Sequence, residues 1–515
     1  MSQLPDIEQH PANHASVHPN PLKDKSLKQR ANEALGDDFL RKAVAFTTDR
    51  LRGRKGESTE KLGDWEEWRE RGRQIRTHTV EHLDYYLRQF SDNMESNGAH
   101  VHFAADASEA QKIVLEIAAK KNAKSVAKSK SMVSEEVHIN HALEDVGVEC
   151  VETDLGEWII QLAHETPSHI IIPAIHKNRH QIQKLFEDEG GESLSPETKV
   201  LAGYARRRLR ERFERADIGM TGCNFAIAET GSIVLFSNEG NARMVTTLPK
   251  THIVMMGMER ILPGWADLEV MASLLPRSAT GQSLTVYVTA LSGPRRKDEL
   301  DGPEDVHVII LDNGRSDALG DPEFQAVLNC IRCGACLNVC PVYRQVGGHA
   351  YGSVYPGPIG AVLTPILQQG IKEAGELSYA SSLCGACFEA CPVKIRLHDM
   401  LVHLRRRYVE HGHAPEIERA AFTSFGAVCS SPFIYETATK VGRWVQLNVV
   451  GKDTGRKTET SPLMKIANKF EPLSGWTNYR ALPPPSPKSF RELWPDLAKN
   501  ANAGQTSEEA DSYGA

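Results

Sequence analysis

Apolar residues recur along this chain with two different periods, and the switches between them mark its organisation. From about residue 38 to 88 they return every three or four positions among Arg, Glu and Lys, which predicts helix with a short break near 53–58. After Gly98 the pattern alternates between strand-like and helical runs. Asp106, with Glu109 three residues on, resembles a capping box, and Ile113, Val114, Ile117 and Ala118 form the stripe of the helix it would start. A second helix is predicted over 135–146, stopping at Gly147, where a residue without a Cβ can turn left-handed. β-prone runs at 125–127, 148–152 and 169–175 lie between, so strand and helix alternate as in a parallel sheet covered by helices. A long helix over 196–216 follows, then strand-like runs at 225–228, 232–236, 252–256, 284–288 and 306–311.

The 515 residues suffice for about three domains. The patterning divides them into a flexible N-terminal arm (1–35), a helical segment (36–98), an α/β domain (99–315) and a cysteine-rich helical domain (320–410). A C-terminal part of unassigned role (411–500) and a disordered polar tail (501–515) complete the chain. Within the C-terminal part, Pro483, Pro484, Pro485 and Pro487 read as an extended strap, with Phe490 and Trp494 after it as docked apolar anchors.

Composition narrows the function classes. Hydrophobic residues at 40% and charged residues at 25% are ordinary for a soluble globular protein and exclude a collagenous or disordered chain. A net charge of -7 gives no electrostatic case for nucleic acid. Arg206, Arg207, Arg208, Arg210 and Arg212 form a basic run, but Glu211 and Glu214 interrupt it, and a solvated helix face accounts for it. No run of about 18 apolar residues would span a membrane, and the polar first twenty residues lack a secretory pattern. The expected location is the cytoplasm, with peripheral attachment to the inner face of the membrane through partners left open.

Seven of the ten cysteines fall between Cys330 and Cys391. Cys330, Cys333, Cys336 and Cys340, followed by Pro341, have the spacing by which a tight loop wraps three thiolates around one iron-sulfur cube and sends the fourth to another. The run from Cys333 to Cys340 and its trailing Pro-Val recur 51 positions on as Cys384, Cys387 and Cys391 with Pro-Val. By this crossover, Cys330, Cys333, Cys336 and Cys391 would hold cluster 1, and Cys340, Cys384 and Cys387 would hold cluster 2. Position 381, where the repeat would place an eighth cysteine, is serine. Cluster 2 is therefore expected to be 3Fe-4S, or 4Fe-4S with a non-cysteine ligand, for which Ser381, Cys429 or a partner's residue are candidates. Structural zinc favours paired knuckles with two ligands each, which this three-in-seven spacing does not provide. The 43 residues between Cys340 and Cys384 exceed a compact ferredoxin and hold a helix-like run over 359–369, so a helical ferredoxin-type domain is expected.

The α/β domain offers one candidate cleft. Glu229, Thr230 and Gly231 lie at one end of a short strand, and Asn238, Glu239 and Gly240 at the other. Lys128 and Lys130 end an earlier strand and could receive a carboxylate. Read without function, the glycines and Asn238 only make turns. No Walker loop or dinucleotide-binding glycine motif is present, and His164 with Glu165 does not complete a zinc-protease helix. Cys150 and Cys223 read as buried small hydrophobes, the 20 histidines show no metal spacing, and no residue stands out as catalytic.

Taken in order, Glu229-Thr-Gly-Ser, Ser237-Asn-Glu-Gly-Asn-Ala-Arg, Leu248-Pro-Lys-Thr-His252, the two cysteine repeats and Tyr355-Pro-Gly-Pro-Ile-Gly360 resemble the lactate utilization protein B family. That family supplies the iron-sulfur subunit of a bacterial L-lactate oxidation complex. The resemblance implies an isomerase/CoA-transferase-like α/β domain, a helical two-cluster ferredoxin domain, and two partners. These are a cysteine-rich iron-sulfur subunit and a smaller α/β subunit, with a quinone or another acceptor downstream. It implies a redox subunit, non-catalytic or partly catalytic, that passes electrons from lactate oxidised to pyruvate. Two other readings keep the clusters: a relay for another 2-hydroxy acid or glycerol phosphate, and a regulator sensing a carboxylate or redox state.

Overall fold

Ten strands form among the residues described by the computed structural model, which are 21–367, 370–447, 462–467, 469, 480 and 485–508. In chain order they are β1 (His100–Ala104), β2 (Ser125–Lys128), β3 (Glu149–Glu152), β4 (Ile218–Thr221), β5 (Phe225–Ile227), β6 (Ser232–Ser237), β7 (Thr251–Gly257), β8 (Ile261–Leu262), β9 (Tyr287–Leu291) and β10 (Asp305–Leu311). Six of them make a sheet of order β1-β10-β7-β4-β2-β3 in which every pairing is parallel. Successive side chains in a strand point to opposite faces, so β7 and β10 serve two cores. Ile253, Met255, Ile309 and Leu311 pack against the helix Ala107–Lys120. Val254, Met256, Val308 and Ile310 pack toward the helix Leu83–Ser96 and a second, mixed sheet of order β8-β5-β6-β9. Burial on both faces explains why these strands read as continuous apolar runs.

Parallel pairing brings the carboxyl ends of the strands to one edge, where open α/β sheets gather ligands. Lys128 ends β2 and Glu152 ends β3, while Glu259 and Arg315 follow closely after β7 and β10. The cysteine-rich segment is seated on this edge. Arg332 pairs with Glu259 at 3.3 Å, and the Tyr355 hydroxyl donates to Glu136 at 2.7 Å. One hydrophobic core joins Leu268, Met271 and Leu274 of the helix Trp265–Thr280 to Leu337, Ile359 and Leu401 of the cysteine-rich segment. Met1–His413 is accordingly one compact unit and Ala414–Ala515 a second.

The chain departs from its local sequence pattern in several places. Residues 169–175 are not a strand but bends and turns. Pro173 lacks a ladder donor, and the His169 Nδ1 accepts the N–H groups of Ile171 and Ile172 at 3.0 and 3.2 Å. The helix Asp38–Leu62 runs unbroken through 53–58 and breaks instead at Gly63 and Asp64, both left-handed. The helix expected over 135–146 is split at His138, also left-handed, into Met132–Glu136 and Ile139–Glu144. Within 1–35, Leu27–Leu35 forms a helix capped by Ser26, and residues 1–20 lie outside the described residues.

In the second unit, helices form at Glu416–Cys429, Pro432–Val445, Pro462–Ala467 and Phe490–Glu508, the last reaching into the range read as a tail. Phe490 and Trp494, read as docked anchors, pack on each other at a tilt with ring centroids 5.4 Å apart, and both are exposed. Pro483 and Pro484 lie outside the described residues. Among the described residues no helix is long and apolar enough to cross a membrane.

Candidate metal centre

Two loops with the same backbone build the site. In the first, Arg332 and Gly334 are left-handed, with φ of 57° and 72°, before the short helix Ala335–Val339. In the second, Leu383 and Gly385 repeat this with 55° and 79° before Ala386–Ala390. Positive φ is uncommon for residues other than glycine, and its recurrence at equivalent positions marks one structural device used twice. It folds each loop back so that cysteines three apart converge. Cys330, Cys333 and Cys336 of the first loop and Cys391 of the second line one internal cavity, together with Arg332 and Ile359. Backbone N–H groups point at the sulfurs: Arg332 N to Cys330 Sγ at 3.4 Å, Tyr343 N to Cys340 Sγ at 3.5 Å and Ile395 N to Cys391 Sγ at 3.4 Å.

Burial pushes the Cys333 thiol up to about 12, with Cys391 and Cys330 adding to it, and drives Cys336 well above its ordinary value. Burial likewise raises Cys387 to about 11, and the charges of Cys340 and Cys384 reinforce it. Cys340 is raised by burial and by Cys384. Cys340, Cys384 and Cys387 are thus near enough for their charges to act on one another, and Cys384 is exposed. A set of soft sulfur donors, crowded and buried so that their thiolate charge is costly, fits a multinuclear iron-sulfur group that supplies the compensating cations. At position 381, Ser381 Oγ accepts the Leu383 N–H at 3.1 Å, the counterpart of the bond that Cys330 Sγ accepts from Arg332.

Cations that the sequence pattern did not single out surround the first cavity. Arg69 donates to the Cys391 carbonyl at 2.9 Å and the Phe388 carbonyl at 2.7 Å, and Lys55 donates to the Ala390 carbonyl. Burial lowers the Lys55 pKa against the pull of Cys333 and Cys391. On the other side, Arg76, Arg260, Arg315 and Arg332 are buried with Glu136 and Glu259. Arg315 bonds Glu136 at 2.9 and 2.8 Å and Glu259 at 2.7 Å. These six residues come from five separate stretches of chain, so only the fold reveals them as a group.

The candidate cleft does not assemble as one site. Glu229, Thr230 and Gly231 turn against the helix Leu83–Ser96, whose Asn93 donates to the Ala228 and Glu229 carbonyls at 2.8 and 3.1 Å. A Cβ on Gly231 would lie 2.5 Å from Met94 N, so this glycine is needed for the packing. Asn238, Glu239 and Gly240 are at the opposite end of β6, which is itself about 17 Å long at the rise of a strand. There Asn238 bonds Gln282 at 2.8 Å. Lys128 is fully buried between Glu135 and Glu152, and Lys130 pairs with Glu157 at 2.9 Å. Burial, with the charges of Glu135 and Glu157, pushes the Glu152 carboxyl up against the pull of Lys128. Neither lysine is left with an uncompensated charge.

Glu165, His176 and His349 also meet, their ligand atoms within 4.8 Å, a grouping hidden by the 172 residues between the two histidines. Glu165 is bonded there to both His176 and Lys177, and His349 to the Thr166 carbonyl at 2.7 Å.

Three stretches of this chain match known families. Residues 87–311 match the LUD domain, residues 326–395 the 4Fe-4S dicluster domain, and residues 407–498 the family described as lactate utilisation protein B, C-terminal. Together they define an iron-sulfur protein built on a parallel-sheet α/β domain. Curated relatives agree over nearly their full length. The lactate utilization protein B of Shouchella clausii is 51% identical over 92% of this chain and 97% of its own. That of Macrococcus caseolyticus is 52% identical over 91% and 96%. This chain belongs to the lactate utilization protein B family. A crystal structure of a DUF162 family protein from Deinococcus radiodurans covers 44% of this chain and 98% of its own, at 19% identity and a TM-score of 0.26.

Proposed function

We propose that this chain is the electron-transfer subunit of a multi-subunit assembly that oxidises L-lactate to pyruvate. The observation that carries the reading is the convergence of Cys330, Cys333, Cys336 and Cys391 on one cavity, seated at the carboxyl edge of a parallel sheet. These four would hold one 4Fe-4S cluster, and Cys340, Cys384 and Cys387 the second. Such clusters, when bound, take up and release single electrons. Oxidation of the lactate hydroxyl to the pyruvate carbonyl releases two electrons and two protons. Two adjacent one-electron centres suit onward relay to a quinone or another acceptor rather than the oxidation itself. The exposure of Cys384 supports the second cluster as the side from which a partner exchanges electrons. The partners that fit are a cysteine-rich iron-sulfur subunit and a smaller α/β subunit.

Ser381 is the best-supported fourth ligand of the second cluster, because its oxygen takes the place in the repeat that the Cys330 sulfur takes in the first loop. The neutralisation of Lys128 and Lys130 by glutamates weighs against a carboxylate-sensing regulator. Deletion of the gene, followed by growth on L-lactate as sole carbon source, tests the reading. Loss of growth restored by the intact gene is expected, and undiminished growth without a duplicate gene rejects it.

A further inference from the structure

The two cysteine loops share a backbone but differ in what they place beside the sulfurs. The left-handed residue before the second cysteine is Arg332 in the first loop, buried, and Leu383 in the second, 36% exposed. Arg332 lines the first cavity. Its guanidinium lies over the Tyr355 ring at 5.0 Å and reaches Glu259 at 3.3 Å. Among the described residues its Nε and Nη1 make no hydrogen bond, and neither do the Nε atoms of Arg76 and Arg260. The buried group of Arg76, Arg260, Arg315 and Arg332 against Glu136 and Glu259 therefore carries two positive charges in excess, with donors to spare. An uncompensated charge in a protein interior is strongly destabilising, so such a group calls for an anion beside it. The Cys330 sulfur is within electrostatic reach of Arg76, Arg260 and Arg332. Lys55, which donates to the Ala390 carbonyl next to Cys391, is likewise within electrostatic reach of Cys333 and Cys391.

We infer that Arg332 and Lys55 set the reduction potential of the cluster held by Cys330, Cys333, Cys336 and Cys391, raising it by stabilising the charge that cluster gains on reduction. The inference rests on the cluster assignment proposed above. Reduction adds one electron to an already anionic thiolate-bound group, and nearby buried cations favour the reduced form. The second loop, with Leu383 in the equivalent place, provides no such cation from that position. Arg332 and Lys55 thus act on the energetics of electron arrival rather than on holding iron.

The test is an anaerobic redox titration of the full-length, cluster-loaded chain, followed by EPR, with iron and sulfide measured on each sample. In Arg332→Gln, one of the two midpoint potentials is expected to fall while the other stays. Arg332→Lys, which keeps the charge, recovers most of the shift, and Lys55→Gln lowers the same potential. The shifted wave survives in Cys384→Ala, which removes the other cluster. Wild-type iron content with both potentials unmoved in Arg332→Gln and Lys55→Gln overturns the inference and leaves the cluster assignment standing. If Arg332→Gln loses its iron, Lys55→Gln decides by the same criterion. A wild-type chain without two separable one-electron waves overturns the assignment itself.

Discussion

Replacing Arg315 by methionine removes the centre of the buried charge group while keeping an unbranched apolar side chain in its place. Glu136 then loses both guanidinium bonds, at 2.9 and 2.8 Å, while Asn313 at 2.8 Å and the Tyr355 hydroxyl at 2.7 Å, both neutral, stay in place. Glu259 loses a 2.7 Å bond but still faces Arg332 at 3.3 Å and Arg260 at 3.6 Å. The cost therefore falls mainly on Glu136, left charged and buried. Removing one partner of a buried ion pair costs about 3–5 kcal/mol. Against a total stability of about 5–15 kcal/mol the variant still folds. With a denaturant slope of about 3 kcal/mol per molar in urea, its unfolding midpoint falls by about 1–2 M. Urea unfolding followed by circular dichroism reads this directly. Adding Glu136→Gln to Arg315→Met removes the carboxylate whose cation is gone, and the double variant should be about 0.5–3 kcal/mol more stable than the sum of the two singles predicts. A midpoint drop below about 0.3 M, or a double variant no better than the sum of the two singles, would mean that Glu136 and Arg315 are not a strongly coupled buried pair.

Other perturbations separate the remaining parts of the structure. Burial works to raise the pKa values of Glu136 and Glu259, but Arg315 outweighs it, with Arg260 and Arg332 also acting on Glu259, and both end below the ordinary 4.5. In acid the unfolded chain thus binds more protons, so stability is full above about 4.5 and is lost as pH falls below it; melting temperature against pH should show that slope in wild type and a shallower one in Arg315→Met. Ser381→Ala should lower the iron content of the second cluster or change its EPR signal, and Ser381→Cys should restore a full complement; an Ala variant identical to wild type removes Ser381 from the ligand set. A Cβ on Gly348 would lie 1.9 Å from the Ser168 carbonyl oxygen, so Gly348→Ala should cost about 1–3 kcal/mol in urea unfolding by forcing apart the loop before His169 and the cysteine-rich segment.

Much of this architecture is legible in the sequence because it is written locally. The Cys330 and Cys384 repeats, the helix after Asp106 and the long helix Thr198–Arg215 are each set by spacing, capping or stripe within a few residues. The basic run on that last helix is indeed spent on neighbouring carboxylates, Arg208 with Glu189 and Arg212 with Glu149. What escapes the sequence depends on distant partners. β4 is four buried residues after a long helix, and nothing local distinguishes it. The run at 169–175 has strand-like residues, yet the His169 ring takes the N–H groups a ladder would need. Arg76, Glu136, Glu259, Arg260, Arg315 and Arg332 become one group only when the ferredoxin-type segment docks on the sheet edge. The cleft fails for a simpler reason, since loops at the two ends of one strand cannot share a site unless the strand is very short.

Electron flow from lactate through both sulfur sites can be observed in one sample. Purified, cluster-loaded wild-type chain is added to anaerobic extract of the deletion strain, L-lactate is supplied, and EPR spectra are taken as pyruvate forms. The expected result is two distinct reduced iron-sulfur signals arising from the added chain, one of them absent when Cys384→Ala is added instead. Pyruvate formation at the wild-type rate while both clusters of the added chain stay oxidised would contradict an electron-relay role.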